Sequence, residues 1–503
     1  MQVRRWFRVE YLIVLLAIAV RLIPGPRTVD DAYITFRYSQ NLLNGYGLVY
    51  NPGEAVLGTT TPLYALLLSL AASVFGGSQA PYPVIALWIN ALADGITCFL
   101  LLRLGRKVGY TNAGLATGLL WALSPMSVTF SIGGMETSFF ILILMGSLYM
   151  YSTHRPVLAA LLAAFSILTR PDALLAVLPL LGARLLSLRN NTTHRPTLIE
   201  VLAFSIPIVT WGIVGFLYYG SPIPQSVTAK AVVYSLPQDA ALIRLLQHFA
   251  TPFQGNLVFG RYYIAIGLLL FPAMSTLGWR RVLQNQRHLW PLAIYPIVYF
   301  LTFSIANPLI FRWYLAPPLP IYLLGITMGV ESVTRDAKRP PIFWAGSSIF
   351  LFLSLNTWTL QPDHGPTRPA PKMAYIKLEE MYVEAIIDLK PLLQESTTIA
   401  AGDIGVIGYF SQGTILDLVG LISPVALEYY PLPEEGYVIN YAIPSELVLD
   451  LQPEFIIMLE VYGRRTLLLD PDFQRFYALH AEYPTDIYGS EAMLVFELRE
   501  EGL

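Results

Sequence analysis

The chain has 503 residues, 55% of them hydrophobic and 13% charged. Soluble globular proteins carry about 25% charged residues, so a soluble body of this size is excluded, as is a disordered chain; the mean hydropathy of +0.54 marks a membrane protein. The formal net charge of -2 hides a split, because residues 1–360 hold 24 Lys+Arg against 11 Asp+Glu while residues 361–503 hold 8 against 23. A basic apolar body, 1–360, is thus joined to an acidic, more polar domain, 361–503, and that acidity argues against nucleic-acid binding.

In chain order, the apolar stretches long enough for a membrane helix predict eleven spans: 7–23, 82–102, 111–130, 137–152, 156–169, 172–187, 198–219, 256–276, 289–306, 313–331 and 341–360. The first follows the basic run MQVRRWFR and has no small-residue cleavage site before Pro24, so it is read as an uncleaved anchor. Of the body's 24 basic residues, 16 fall in alternate short loops, from Arg4, Arg5 and Arg8 to Arg335, Lys338 and Arg339. The positive-inside bias makes those loops cytoplasmic and puts 361–503 outside. The run TPLYALLLSLAASVFGG at 61–77 would reverse every later loop if it spanned, so it is read as a helix lying in the outer interface. Residues 24–81 then form one long outer loop, and loops of that length without function are uncommon.

That loop opens with Asp30-Asp31, two adjacent carboxylates just past the first span. They read either as a general base, a divalent-metal ligand pair, or both, or as a solvated helix N-terminus where Asp is favoured. The neighbouring Tyr33, Phe36, Arg37, Tyr38, Asn41, Tyr46 and Tyr50 suit sugar stacking and hydroxyl recognition. Further along, Asp94 sits inside an apolar span one turn from Asn90 and is expected to make a polar contact between helices. Cys98, the one cysteine, is expected to be packing. Glu136 in SIGGMETSFF faces the same compartment as the Asp pair, either as a helix-end acid or as a second carboxylate or metal ligand. Three outer cations run against the usual bias: Arg170 in LTRPDA, Lys230 in YYGSPIPQSVTAK and Arg312 in IFRWYLAP. They suit capture of an anionic lipid phosphate, the alternatives being snorkelling to headgroups and an Arg170–Asp172 ion pair; Arg37 reads either as a fourth phosphate contact or as a helix-surface charge. His248 and His364 lie outside and are expected to be inert more often than functional, and the NNTT sequon at 190–193 falls on the cytoplasmic side.

The domain after residue 360 begins at the breaker cluster QPDHGPTRP. A helix over 372–394 follows, then the β-like runs TTIAAGDIGVIGYF, TILDLVGL, FIIMLEVY and EAMLVFEL, which predict a small α/β domain. It has no Gly-rich phosphate loop opening a helix.

An acidic pair after the first span, a long first outer loop, a polytopic body and an outer C-terminal domain resemble the GT-C superfamily of membrane glycosyltransferases. The run DDAYITFRYSQNLLNGYGLVYNPGEAVLGTTTPLY is more specific and resembles the first outer loop of the mycobacterial terminal β-(1→2)-arabinofuranosyltransferase family. YYGSPIPQSVTAK is similar to that family's YG-x-P-x-P-N-T-x-x-AK segment with Gln225 and Ser226 replacing Asn-Thr, and FRWYLAP is similar to its RY-x-x-P segment with Trp313 inserted. GDIGVIGYFSQGTILDLVGL resembles the start of the family's outer domain.

The resemblance implies an inverting transfer of a sugar, arabinofuranose among the options, from a polyprenyl-phosphate donor to an extracytoplasmic glycan or lipid acceptor at a bacterial inner membrane. One Asp of the pair would deprotonate the acceptor. Asp31, with Glu136, would hold a divalent ion (Mg, Mn or Ca) if one is used. Arg170, Lys230, Arg312 and Arg37 would hold the donor phosphate, and Tyr33, Glu136, Tyr314 and Glu54 would line the substrate site. The expected fold is a polytopic α-helical membrane protein of GT-C type with a C-terminal extracytoplasmic α/β domain. A lipid-linked sugar transporter also needs outer cations, but not an acidic pair in an outer loop, and usually shows internal repeats that this sequence lacks.

Overall fold

In the computed structural model, which describes residues 2–189, 195–253, 260–359, 368–394 and 396–499, a helical stretch lies on every expected span. His364, the 190–193 sequon and most of the breaker cluster lie outside those residues. Thr137–Ser152, Pro156–Thr169 and Leu198–Tyr219 coincide with the expected bounds. Five helices among the described residues are long and apolar enough to cross a bilayer: Tyr82–Lys107, Leu198–Tyr219, Tyr262–Asn285, Arg287–Ala306 and Arg312–Asp336. Thr111–Leu123 and Pro125–Ile132 make a sixth span bent by 47°, at the point where Pro125 removes a backbone donor and Ser124 caps the second helix. Thr137–Ser152 and Pro156–Thr169 have 16 and 14 residues, which at about 1.5 Å per residue fall short of a hydrocarbon core of about 30 Å. The chain is a multi-pass membrane protein, and its apolar side chains face outward along the spans, as at Leu217, Leu269 and Ile305.

The chain folds as two compact units that do not follow the linear division at residue 360. A helical unit comprises Met1–Arg27, Pro83–Thr210 and Asp239–Tyr375. The second comprises Thr28–Tyr82, Trp211–Gln238 and Ile376–Leu503, so the segment after the first helix folds with the C-terminal segment. The physical reason is polar satisfaction. Buried side chains of the loop find their partners between residues 404 and 415: Tyr50 donates to the Ile404 carbonyl, and Asn51 bonds both the N–H and the carbonyl of Ile415.

A buried polar network around Arg21 pins the helical unit. Arg21 is fully buried and its Nε donates to the Asp94 carboxylate at 2.7 Å. The same guanidinium donates to the Ala17 and Ala122 carbonyls and to Ser127 Oγ, while Trp121, Ser127 and Ser138 all donate to Asp94. Asp94 is thus the interhelical polar contact expected, but its partner is Arg21. Asn90 instead donates to the Ser131 and Met135 carbonyls. Cys98 is buried packing.

Among the described residues, the C-terminal segment of the second unit carries one five-stranded sheet. A short ladder of β1 (Trp358–Thr359) and β2 (Ala370–Pro371) belongs to the helical unit and precedes it in sequence. The main sheet is built from β3 (Thr398–Ala401), β4 (Thr414–Asp417), β5 (Phe455–Leu459), β6 (Tyr477–Pro484) and β7 (Ala492–Leu498) in the order β4-β3-β5-β7-β6. The first three strands are parallel, and β7 and β6 add antiparallel. The expected α/β domain is therefore present, with two differences. The run 397–410 is a strand only to Ala401, because Gly402-Asp403 turns the chain and Gly405–Ser411 is helical. The edge strand β6 is mostly solvated and lacks the apolar run that revealed the others.

Candidate active site

The helix Asp30–Leu43 begins with the acidic pair, where carboxylates favour the positive end of the helix dipole. Asp30 and Asp31 are half-buried. Both oxygens of Asp30 are engaged by backbone: Oδ2 accepts from Gly405 N at 2.9 Å and Oδ1 from Val406 N at 2.7 Å. The Asp30 N–H in turn donates to Glu379 Oε1 at 3.2 Å. Gly405 is required by this approach, since a Cβ there would lie 1.8 Å from the Asp30 carbonyl oxygen. Beside the pair stands Asp403, whose Oδ2 accepts from the Tyr382 hydroxyl at 2.6 Å.

Four carboxylates therefore share one region of the second unit. Burial is the first cause that raises their proton affinity, and for Asp30, Glu379 and Asp403 repulsion by neighbouring carboxylates adds to it. Asp30 is pushed well above the usual range by burial and then by Asp403, against the pull of its two backbone N–H bonds. Burial raises Glu379 to about 7 and Asp403 to about 6. Asp31 is raised by burial and drawn back by the Lys230 ammonium. Lys230 reaches this place on the helix Gln225–Val233, whose first N–H donates to the Leu57 carbonyl at 2.7 Å. Tyr33 packs against Phe36, Tyr409 and Phe410, with Glu379 and Asp30 close enough to affect its hydroxyl. An acid cluster of raised proton affinity, with a cation and an aromatic wall, is suited to accept a proton from a hydroxyl.

The structure thus brings together Asp30, Asp31, Lys230 and Tyr33 from the residues expected. Glu54 is exposed and bonded to Asn51 at 3.0 Å. Arg37 is a correction. It is 2% exposed, and its guanidinium donates to the carbonyls of Tyr50, Gly408 and Gly413 and to Asn51 Oδ1, leaving it to brace backbone rather than face a phosphate.

In the helical unit, Arg170 is likewise occupied. It forks onto Asp172 with two 3.0 Å bonds and donates to Glu136 at 3.1 Å, all three being largely buried, so the ion-pair alternative describes it. Glu136, expected as a metal or substrate ligand, is the second carboxylate of that pair. The Tyr314 ring lies 5.0 Å from the Arg170 guanidinium. Arg312 is exposed, donates to the Met373 carbonyl at 3.4 Å, and has Arg244 near enough to feel its charge. His248 is buried against the Leu315 backbone. Among the described residues no three His, Cys, Asp or Glu side chains converge as a metal cage.

Sequence reasoning did not single out Glu379, Tyr382 or Asp403. The signal for Asp403 was the spacing of Gly402, Gly405 and Gly408 around it: Gly405 meets Asp30, and a Cβ at Gly408 would lie 1.8 Å from the Tyr50 hydroxyl. Glu379 and Tyr382 lie on an ordinary amphipathic helix, Lys377–Leu389, with nothing local to mark them.

Comparison with known proteins gives three findings. A family described as a domain of unknown function (DUF8728) matches residues 376–496. The terminal beta-(1->2)-arabinofuranosyltransferase of Mycobacterium tuberculosis is 29% identical over 221 residues, which is 40% of this chain and 34% of that protein, so the match spans about a third of the relative's length. Two solved structures share the fold across nearly the whole chain. ArnT from Cupriavidus metallidurans, bound to undecaprenyl phosphate, aligns with a TM-score of 0.55 at 12% identity over 98% of this chain and 97% of its own. The Archaeoglobus fulgidus oligosaccharyltransferase, in complex with Zn and sulfate, aligns with a TM-score of 0.55 at 13% identity over 96% of this chain and 72% of its own. The chain has the fold of these polytopic GT-C membrane proteins.

Proposed function

We propose that the protein is an inverting glycosyltransferase that moves a sugar from a polyprenyl-phosphate donor to a glycan or lipid acceptor on the extracytoplasmic side of a bacterial inner membrane. The observation that carries this reading is the carboxylate group around Asp30 and Asp31, raised in proton affinity and faced by Lys230. A first-loop Asp takes the proton from the acceptor hydroxyl as that oxygen bonds to the anomeric carbon. The anomeric carbon's bond to the donor phosphate oxygen breaks, and the phosphate leaves as an anion. Such a leaving group needs positive charge rather than a proton donor, and Lys230 beside Asp31 supplies it. In the helical unit, Arg312 and Arg244 offer positive charge for a lipid phosphate headgroup.

The name of the mycobacterial relative supports transfer of a sugar such as arabinofuranose, and ArnT, solved with undecaprenyl phosphate, supports a lipid-phosphate donor. The basic cytoplasmic loops support the orientation, with the second unit outside. The test is transfer from a polyprenyl-phosphate-linked sugar by Asp30→Asn and Asp31→Asn in detergent-purified protein. The reading expects at least one of them to lose transfer by about 10²-fold or more while still binding donor. Full transfer by both overturns it. Transfer absent from wild type, with lipid-linked sugar moved across vesicles, turns the reading to a transporter.

A further inference from the structure

We propose that the turn Gly402–Gly408 of the C-terminal segment is the orienting half of the catalytic centre: its backbone fixes the Asp30 carboxylate, and Asp403, pinned by Tyr382, acts with it as a positioning residue. This inference rests on the glycosyltransferase reading and gives residues 376–503 a part in the chemical step beyond folding.

The geometry runs in one direction. A carboxylate at a helix N-terminus usually has an open choice of rotamer, but Asp30 is held at both oxygens by successive N–H groups at 2.9 and 2.7 Å. Two bonds to one rigid turn fix the carboxylate plane as well as its position. The turn itself is fixed from behind. Tyr382 donates to Asp403 at 2.6 Å, and Tyr441 packs so closely that a Cβ on Gly402 would sit 2.3 Å from its hydroxyl. Tyr441 stacks on Tyr462 with ring centroids 3.9 Å apart, so the wall behind the turn is itself immobilised. Ahead of the turn, Gly405 lets the backbone reach Asp30, and Arg37 ties the Gly408 and Gly413 carbonyls to the loop helix. A base held by an orienting partner, which is held by a third group, is the arrangement that activated acid–base residues use. Here the orienting partner is backbone from another part of the chain. Glu379 completes the clamp by accepting the Asp30 N–H.

The experiment measures kcat and KM for a polyprenyl-phosphate sugar with Gly405→Ala, Asp403→Asn and Tyr382→Phe, using Gly436→Ala as a control remote from the turn. Melting temperature and binding of the polyprenyl phosphate are read in parallel. Displacing a catalytic group by about 1 Å is worth about 10²-fold, so Gly405→Ala is expected to lower kcat about 100-fold with donor KM within twofold. Tyr382→Phe and Asp403→Asn keep side-chain volume and remain informative if Gly405→Ala does not fold; each is expected to lower kcat roughly tenfold, again with KM unchanged. Wild-type kcat in both, or a loss confined to KM, overturns the inference. If Asp30→Asn and Asp31→Asn lose transfer while the turn variants keep it, only this inference fails; if all keep it, the glycosyltransferase reading fails first.

Discussion

Replacing Arg37 by Met separates a structural cation from a phosphate-binding one. The guanidinium is buried and satisfies three backbone carbonyls, those of Tyr50, Gly408 and Gly413, besides lying 4.4 Å from the Tyr50 ring. A buried acceptor left without its donor costs about 1–3 kcal/mol. Three of them give roughly 3–9 kcal/mol, from which the recovered desolvation of the guanidinium takes a part. A net loss of about 3–5 kcal/mol is a large fraction of a typical stability of about 5–15 kcal/mol. For a unit of about 200 residues each kcal/mol moves the melting temperature by about 2–4 °C, so Arg37→Met is expected to melt about 6–20 °C below wild type. The assay is thermal unfolding in detergent, with donor KM measured on the folded fraction at low temperature. Arg37→Lys is expected to fare little better, since an ammonium on a shorter reach cannot serve three carbonyls in a fork. A variant that melts like wild type but raises donor KM tenfold refutes the reasoning and returns Arg37 to the phosphate.

Other outcomes follow from the same structure. Burial lifts Glu379 to about 7 and Asp403 to about 6; the folded state therefore holds these protons more tightly than the unfolded chain. Their contribution to stability is complete below the unfolded carboxylate range and is lost as pH rises through about 6 to 7. Melting temperature is expected to fall between pH 5 and 8, and the double variant Glu379→Gln/Asp403→Asn to flatten that slope; an unchanged slope contradicts the burial of the cluster. Asp94→Asn leaves the buried Arg21 unpaired and is expected to cost about 3–5 kcal/mol, seen as poor yield or a lowered melting temperature in detergent, whereas a wild-type melt would show that the network is not a brace. The helix Pro62–Val74 buries Ala65, Leu68, Ser69 and Ala72 and exposes Leu66, Leu70 and Val74, which are one turn apart. A fluorophore at Leu70→Cys in a Cys98→Ser background is expected to be quenched by headgroup-proximal spin-labelled lipid, and water-like emission without quenching contradicts an interfacial helix.

The sequence exposed the helices because lipid forces every span to be long, apolar and self-satisfied in hydrogen bonds. It exposed Asp30 and Asp31 because charge is conspicuous beside such a span. What it hid is long-range. Arg37, Arg170 and Lys230 look alike in sequence as cations near the ends of apolar segments. Only their partners distinguish a backbone brace, a two-carboxylate ion pair and a cation beside Asp31. Glu379 and Asp403 lie more than 340 residues from Asp30, as 349 separate Asp30 from Glu379, and no local pattern announces a contact at that range. The run after Ala401 misled for a related reason: Val406, Ile407, Tyr409 and Phe410 have strand propensity, but tertiary packing of the glycine-spaced turn against the first loop makes them helical.

The proposed function turns on a first-loop carboxylate that takes the acceptor proton during sugar transfer. Its most direct test is the single-turnover rate of transfer from a polyprenyl-phosphate-linked sugar to acceptor, with donor binding measured on the same wild-type, Asp30→Asn and Asp31→Asn preparations. Donor binding is expected in all three, with loss of transfer by about 10²-fold or more in at least one substituted protein. Transfer at the wild-type rate in both substituted proteins would contradict it.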